Sequence, residues 1–587
     1  MTARDSTGGE IPRFDRRFLD GAHRFARIGD GALGGKASGL VFIDGFLSGI
    51  GDAPSSLEVA VPRFAVIATS HFDAFLERND LRRAARVADS DEAIARAFLK
   101  ADLPVDLVGD LRALIERVHA PLAIRSSSLL EDSLNEPFAG VYATKMIPNN
   151  QYEADLRWRK LAEAVKFVWA STFFVEATAY IRATGRSPHE EKMAVIVQEV
   201  VGRRHRDRFY PDLSGVARSF NFYPTGHARP EQGIVHLALG IGRTIVDGGT
   251  SWPYSPAWPR ARPPFASTRE ALAQTQTEFW AVHMGVPAYD PLAETEYLVR
   301  ASLADAESDG TLRWTASTYD AASDRLVPGI PVSGPRLLDF APLLSLNEFG
   351  FNAVLKRLLA LSEEALGARV EIEFAVTFPE RPGEPARFGF LQVRPMAVSH
   401  ETVEVTDEAL DGPDTLVASR RTMGNGTLDA LRDIVYVKPG AFDPACTPAI
   451  AAELEPLNRA LVEAGRPYVL IGFGRWGSTD PWLGIPVVWS QISGARVIVE
   501  SGLPNMRVDP SQGSHFFHNI TSFRIPYFTV RQDVDRPVAW DRLEALPAVA
   551  SGTFVRRVET PAPLAVRVDG RTGRGAILLS PTSGARP

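Results

Sequence analysis

The chain has very little cysteine. Cys446 is the only one among 587 residues, which excludes a disulfide framework and every zinc or iron–sulfur site built on several thiolates. It lacks a long apolar run, so no membrane-spanning helix is expected. Met1 to Asp20 carries Arg4, Arg13, Arg16 and Arg17 among acids and has no apolar core, so no secretory signal is expected there. Charge of one sign is also missing. Lys and Arg total 64 against 71 Asp and Glu, a formal net charge of −7 with a pI near 6.0. That balance gives no general attraction to nucleic acid or to an anionic membrane. No internal repeat or long low-complexity segment is apparent. What remains is ordinary globular composition, 45% apolar and 23% charged, long enough for about four domain units at roughly 150 residues each. A cytoplasmic, multidomain protein is the expectation, and its size favours an enzyme over a small binding module.

The order of patterns along the chain is αβ. Gly31–Leu40 (GALGGKASGL) is a glycine-rich loop entering an apolar helical stretch. Val61–Ala68 reads as a buried strand, with Thr69-Ser70 as the cap of the helix that follows. Pro121–Ile124 reads as a short strand ending in Arg125-Ser126-Ser127-Ser128, with Glu131 and Asp132 beyond. Tyr152–Thr184 reads as one long helix, and Met193–Val201 as a strand buried on both faces. Residues 251–266, rich in proline and tryptophan, read as a surface excursion. Ala353–Leu366 reads as a helix. Val370–Thr377 and Phe388–Val393 read as a hairpin. A helix near Ile450–Ala464 and strands at Tyr468–Ile471 and Arg496–Glu500 are predicted in the last third. Val555–Pro587 reads as a β extension or a basic tail.

Four separated segments carry chemistry. In Gly34-Gly35-Lys36, glycines let backbone N–H groups approach an anion, and lysine adds a point charge. The spacing is not that of a Walker A loop. Arg125 stands at the end of a buried strand, where a guanidinium is costly unless it meets an anion. Its fork fits phosphate oxygens, and the three serines beside it are further donors. The alternative is a structural ion pair with Glu131 or Asp132. Glu371 and Glu373 share one strand face and repel each other unless a cation or basic group compensates. Gln392 and Arg394 share a face of the neighbouring strand. If the hairpin pairs in register, all four residues present one surface. Carboxylate and amide oxygens there suit Mg²⁺ with phosphate completing the shell, and Arg394 can hold phosphoryl charge. The alternative is a solvated face with a cross-strand ion pair.

In order and wording these motifs resemble the N-terminal nucleotide-binding domain of the phosphoenolpyruvate synthase and pyruvate phosphate dikinase family. GGKASGL, LAIRSSSLLEDSLNEPFAGVYAT (122–144), FVWASTFFVEATAYIRATG, KMAVIVQEVV, VEIEFAV and GFLQVRPM carry the resemblance over about residues 28–397. It implies an α/β and α+β architecture: an ATP-grasp-like, two-lobed nucleotide-binding domain followed by a smaller αβ domain. The implied divisions are a lead-in (1–27), a first lobe (28–190), a second lobe (191–400), a linker (401–413), an αβ domain (414–554) and a basic tail (555–587). The resemblance further implies ATP and Mg²⁺ as ligands. Gly35, Lys36, Arg125 and Ser126 would meet phosphates. Gln198, Glu199 and Val201 would form the hinge beside adenine. Glu373 and Gln392 would hold Mg²⁺ with Glu371 nearby, and Arg394 would contact the γ- or β-phosphate. The Gly240–Gly249 stretch would lie over the nucleotide. One departure is Gly242-Arg243, where the family commonly has an acidic residue.

The residues after 397 are too few for a swivelling phosphohistidine domain plus a pyruvate-binding barrel of roughly 250 residues. The pyruvate reaction is therefore not carried over. His515, in Gly513-Ser514-His515-Phe516-Phe517, is the candidate phosphocarrier. Ser514 would cap a helix whose dipole favours a phosphorylated imidazole. The competing reading is a packed, hydrogen-bonded histidine. Gly472-Phe473-Gly474-Arg475-Trp476-Gly477 has dinucleotide-loop spacing, but Pro481 leaves no helix behind it. It reads as a tryptophan-packed corner or as an anion-binding turn. The expected activity is dikinase-type phosphotransfer from MgATP to an acceptor, either a small molecule or a protein histidine. A nucleotide-sensing module without turnover and an ATP-grasp ligase are the alternatives. No nucleic acid or membrane partner is expected, and homo-oligomerisation is left open.

Overall fold

A computed structural model describes the chain except residues 1–10, 48–55, 130–139, 184–185, 189, 225, 262, 264, 266, 382, 397, 399–402, 479, 481, 503–513, 532–533, 571 and 580–587. Glu131 and Asp132 lie outside the described residues. The chain divides into two compact units. The first comprises residues 1–220, 231–245 and 250–395, and the second residues 221–230, 246–249 and 396–587. The protein is a mixed α/β structure with several sheets.

Two of the first unit's sheets are the largest. A five-stranded sheet has the order Phe25–Ile28, Phe64–Ile67, Met193–Glu199, Leu122–Ser128, Thr144–Ile147. A six-stranded sheet has the order Trp252–Tyr254, Ile234–Ala238, Leu213–Arg218, Val370–Thr377, Ala386–Pro395, Leu57–Ala60. Side chains of both sheets, including Phe64, Ile196, Val235, Phe374 and Phe390, enter one apolar core with Leu40 and Leu358.

Several expectations are met with shifted bounds. The arginine strand runs on through Leu122–Ser128, buried at all seven positions. The helix at Phe351–Leu366 stops at Gly367, which has φ +63°, a left-handed stop that suits glycine. Thr69 and Ser70 begin the Thr69–Arg78 helix instead of capping it. Their hydroxyls accept from the N–H groups of Ala32 (3.0 Å) and Asp30 (3.1 Å). They thereby hold the glycine-rich loop to the helix start.

Two expectations fail for identifiable reasons, and one that was left open is decided. The predicted 152–184 helix is broken into Ala154–Ala170, a 3₁₀ turn at Ser171–Phe173 and Val175–Ala183. Ser171 Oγ donates to the Val168 carbonyl (2.7 Å) and accepts from Ala143 N–H (3.1 Å). A side chain so engaged competes with the backbone ladder. Residues 251–266 are not wholly an excursion. Trp252 and Tyr254 point into the core from an edge strand, where the missing N–H of Pro253 is tolerated. The 555–578 stretch forms strands Val555–Glu559, Ala565–Asp569 and Arg574–Leu578. Val555, Val558, Val566, Val568 and Ile577 are buried there, so the β alternative holds over those residues.

Asp212, beside the Leu213–Arg218 strand, gives a pH signature. Its Oδ2 accepts from Phe378 N–H (2.7 Å) and lies 3.2 Å from Arg203 Nη2. Burial pushes its carboxyl up to about 6 despite Arg203. A raised acid favours the folded state when protonated. That contribution is complete below the unfolded value, near 4, and is lost as pH rises through about 6. Asp212→Asn keeps an oxygen for Phe378 and cannot ionise. Its stability relative to wild type should therefore rise by about 1–3 kcal/mol between pH 4 and pH 7. Paired denaturant melts across that range check this, and a pH-independent difference refutes it.

The second unit contains a seven-stranded sheet in the order Thr422–Met423, Tyr527–Val530, Ala495–Ser501, Tyr468–Phe473, Asp433–Val437, Val555–Glu559, Ala548–Ser551. Its four central strands are parallel. The Thr447–Glu463 helix connects Asp433–Val437 to Tyr468–Phe473, as parallel neighbours require. A four-stranded antiparallel sheet contributes Val566, Val568 and Ile577 to the same core. Among the described residues no helix is long and apolar enough to cross a membrane.

Candidate functional site

The hairpin pairs as the alternation requires. Glu371 is opposite Arg394 and Glu373 is opposite Gln392. Directly opposed residues share a face, so these four side chains present one surface of the six-stranded sheet. Arg125, on the five-stranded sheet, reaches this surface. Its Nη1 donates to the Leu391 carbonyl (2.7 Å) and to Gln198 Oε1 (3.0 Å). Its Nη2 donates to Gln392 Oε1 (3.0 Å) and stands 3.9 Å from Glu373 Oε2. Arg125 is 9% exposed, so each of these bonds acts in a poorly solvated setting.

The glycine-rich loop delivers Lys36 to the same strand end. The Gly34–Leu47 helix begins with Gly34 at φ +77°. A Cβ at Gly34 would fall 1.8 Å from the Ser127 carbonyl oxygen, so only glycine permits this approach. Ser127 Oγ accepts from Ala37 N–H (3.1 Å) and donates to the Leu33 carbonyl (2.8 Å). Lys36 Nζ donates to Ser126 Oγ (3.2 Å). Ser127 thus docks the helix, and Ser126 meets the lysine. Lys36 and Ser126 are brought together, while the Arg125 guanidinium turns to Gln198, Leu391 and Gln392.

The hinge residues divide. Gln198 is buried and binds Arg125 through its amide oxygen. Glu199 is half-buried with Arg63 3.9 Å away, and burial raises its carboxyl against that charge. Val201 packs against Gly389, where an added Cβ would meet its Cγ2 at 2.4 Å. Arg243 stands 3.7 Å from Glu294 and near the Trp280 ring.

Glu371 differs most from the expectation. The resemblance implies a place beside the metal, whereas its side chain is fully buried between two arginines. Oε2 accepts from Arg218 Nε, and Oε1 accepts from Arg394 Nε at 2.7 Å and from Arg394 Nη2. Arg394 Nη2 also donates to Glu373 Oε1 (3.1 Å). Sequence reasoning missed Arg218. The signal was available, because an arginine ending the apolar run LSGVAR poses the same question as Arg125.

Glu373 and Gln392 offer opposed oxygen donors on one face, a set that fits a hard cation. Among the described residues no group of three or more His, Cys, Asp or Glu side chains is clustered for a metal. Mg²⁺ commonly takes one or two protein oxygens and completes its shell with water and phosphate.

In the second unit, His515 opens the His515–Ser522 helix, and Ser514 Oγ caps it by accepting from Phe517 N–H (3.2 Å). His515 is half-buried and His518 is buried. The Gly472–Gly477 turn enters no helix. Arg475–Trp476 pairs with Gly484–Ile485 instead. A Cβ at Gly472 would strike the Trp476 ring at 2.3 Å, and one at Gly477 the Phe516 ring at 2.3 Å. These glycines make room for aromatic packing. A small cavity beside them, lined by Arg475, Ser478, Glu500, Ser514 and Tyr527, has about 20 Å³ of space, roughly enough for one water.

Comparison with known protein families matches residues 31–411 to the family described as pyruvate phosphate dikinase, AMP/ATP-binding domain. Lys36, Arg125, Gln198, Glu371, Glu373, Gln392 and Arg394 fall inside that stretch, and His515 falls outside it. The glycine loop, the arginine strand and the glutamate–arginine hairpin are elements of one matched domain, and the chain belongs to the pyruvate phosphate dikinase AMP/ATP-binding domain family.

Proposed function

We propose that the protein is an ATP- and Mg²⁺-dependent phosphotransferase of the dikinase type, with an ATP-grasp-like clamp formed by the five- and six-stranded sheets of its first unit. The observation that carries this reading is the meeting of Arg125 and Arg394 on a face that also holds Glu373 and Gln392, with Lys36 held by Ser126, the residue after Arg125. Two guanidiniums beside two oxygen donors suit a polyphosphate with its metal.

Lys36 and Arg125 would bind phosphate oxygens, with Ser126 and the N–H groups at Gly35 beside them. Arg394 would hold charge on the phosphoryl group being transferred, a role that needs placement more than proton chemistry. Gln198, Glu199 and Val201 would border the base. Glu373 and Gln392 would hold Mg²⁺, which supplies charge neutralisation and alignment of the phosphates when bound. Glu371 would act on Arg394 and not on the metal. Before nucleotide arrives, Arg125 and Arg394 bind protein oxygens, so the site is compensated and polyphosphate exchanges those partners. The acceptor is a small molecule or a histidine, with His515 the candidate within the chain.

ATP labelled at the β or the γ position, incubated separately with wild type and His515→Ala, tests this. The expected result is Mg²⁺-dependent ATP consumption. Acid-labile β-label on wild type and none on the variant would identify the carrier. Nucleotide binding with no turnover for any acceptor overturns the phosphotransferase reading in favour of a sensor. An acyl product with ADP and phosphate identifies a ligase.

A further inference from the structure

Arg218 and Arg394 flank Glu371 from opposite sides. The Leu213–Arg218 strand pairs with one edge of Val370–Thr377, and Ala386–Pro395 pairs with the other. Register sets Arg218, Glu371 and Arg394 directly opposite one another across three strands. Their side chains are 1%, 0% and 2% exposed.

One carboxylate between two guanidiniums is a poor device for stability. Glu373 offsets the charge of Arg394 through its own ion pair, yet even balanced buried clusters often contribute little to stability. The second arginine therefore calls for another explanation, which the bonding supplies. A lone guanidinium facing a carboxylate favours a fork-to-fork arrangement that uses both oxygens. Arg218 Nε occupies Oε2 of Glu371. Arg394 is thereby confined to Oε1, which it meets with Nε and Nη2. That same Nη2 reaches Glu373 Oε1. Without Arg218, Glu371 could turn both oxygens to Arg394 and swing its guanidinium away from Glu373.

We propose that Arg218 is a positioning residue for nucleotide recognition: by holding Glu371 it fixes the direction in which Arg394 faces the polyphosphate. The proposal rests on the nucleotide-binding reading above. Arg218 acts through Glu371 and Arg394, so its removal should be felt by the phosphate chain and not by the nucleoside.

Calorimetry on the full chain with MgATP and with AMP separates these effects, using wild type, Arg218→Met, Arg218→Lys, Arg394→Ala and the doubles with Arg394→Ala. Arg218→Met should weaken MgATP binding by about tenfold or more and AMP binding by less than about twofold. Arg218→Lys should lose less, because it keeps the charge but not the planar donor. With Arg394→Ala already present, either change at 218 should cost MgATP less than a further twofold or so. Equal losses for MgATP and AMP, or losses additive with Arg394→Ala, overturn the proposal. A purely structural arginine would lower the melting temperature and leave the MgATP-to-AMP ratio unchanged. If Arg218→Met fails to fold, Arg218→Lys carries the same cycle. Absence of MgATP binding by wild type would instead sink the nucleotide reading and this proposal with it. Binding by wild type with an unmoved ratio sinks only the role of Arg218.

Discussion

Arg125→Ala should weaken MgATP binding by about 100-fold and abolish ATP consumption. The size follows from what the side chain does. One guanidinium reaches Gln198, Leu391 and Gln392 and stands near Glu373. It thereby ties the five-stranded sheet to the hairpin of the six-stranded one. Truncating one partner of a buried, hydrogen-bonded charged cluster costs about 2–5 kcal/mol, and each 1.4 kcal/mol or so is tenfold. In the variant a phosphate loses its bidentate partner in a poorly solvated setting. Arg112→Ala is the matched control. Arg112 pairs with Asp155 at 2.7 Å, but both side chains are about half exposed or more. Surface pairs contribute about 0–1 kcal/mol, so MgATP affinity should stay within about twofold there. Calorimetry with MgATP on both variants checks the pair. Equal affinity for Arg125→Ala and wild type would remove Arg125 from the site.

Arg125 was legible in the sequence because burial and charge conflict at a strand end, and the conflict needs no partner to be noticed. The hairpin was legible for a related reason. Period-two alternation fixes which residues of each strand share a face, so Glu371 with Glu373 and Gln392 with Arg394 could be paired. The connection over 378–385 is too long to set the register, which the structure supplies. Arg218 shows where this stops. Its strand is apolar with one arginine, and its partner Glu371 lies far along the chain. Nothing local specifies which edge of the glutamate strand it joins, so the division of the Glu371 oxygens was out of reach. The same limit hid the Leu57–Ala60 strand, which pairs in parallel with Ala386–Gly389. One of the three serines differs from the expectation in a subtler way. As a hydroxyl beside Arg125, Ser127 reads as a ligand donor, yet it is spent on docking a helix. Sequence shows that a group can donate or accept, and only packing decides to whom. The break at Ser171 is of that kind, since its cause is a contact with Ala143 from another segment.

Gly34→Ala should cost the first unit about 3 kcal/mol or more and remove MgATP binding with it. Two independent terms act at this residue. Its φ of +77° lies in the left-handed region, which costs a residue with a side chain about 1–2 kcal/mol. In addition, the new methyl would sit 1.8 Å from the Ser127 carbonyl oxygen. That atom belongs to a buried strand of a five-stranded sheet and cannot turn aside as a flexible side chain could. The helix must retreat instead. Retreat breaks the Ala37–Ser127 and Lys36–Ser126 bonds together, so the lysine leaves the proposed phosphate site as the fold weakens. Gly45→Ala, in the same helix, should act in the opposite direction. Nothing lies within 4 Å of the Cβ it would add, and alanine is about 1 kcal/mol better than glycine inside a helix. Thermal melts and MgATP calorimetry on the two variants should therefore diverge. Gly45→Ala should melt slightly above wild type with unchanged affinity, and Gly34→Ala well below it with binding lost. If both variants shifted in the same direction, the helix would be responding to propensity alone, and the close approach of Gly34 to Ser127 would not be what sets Lys36 against the phosphate site.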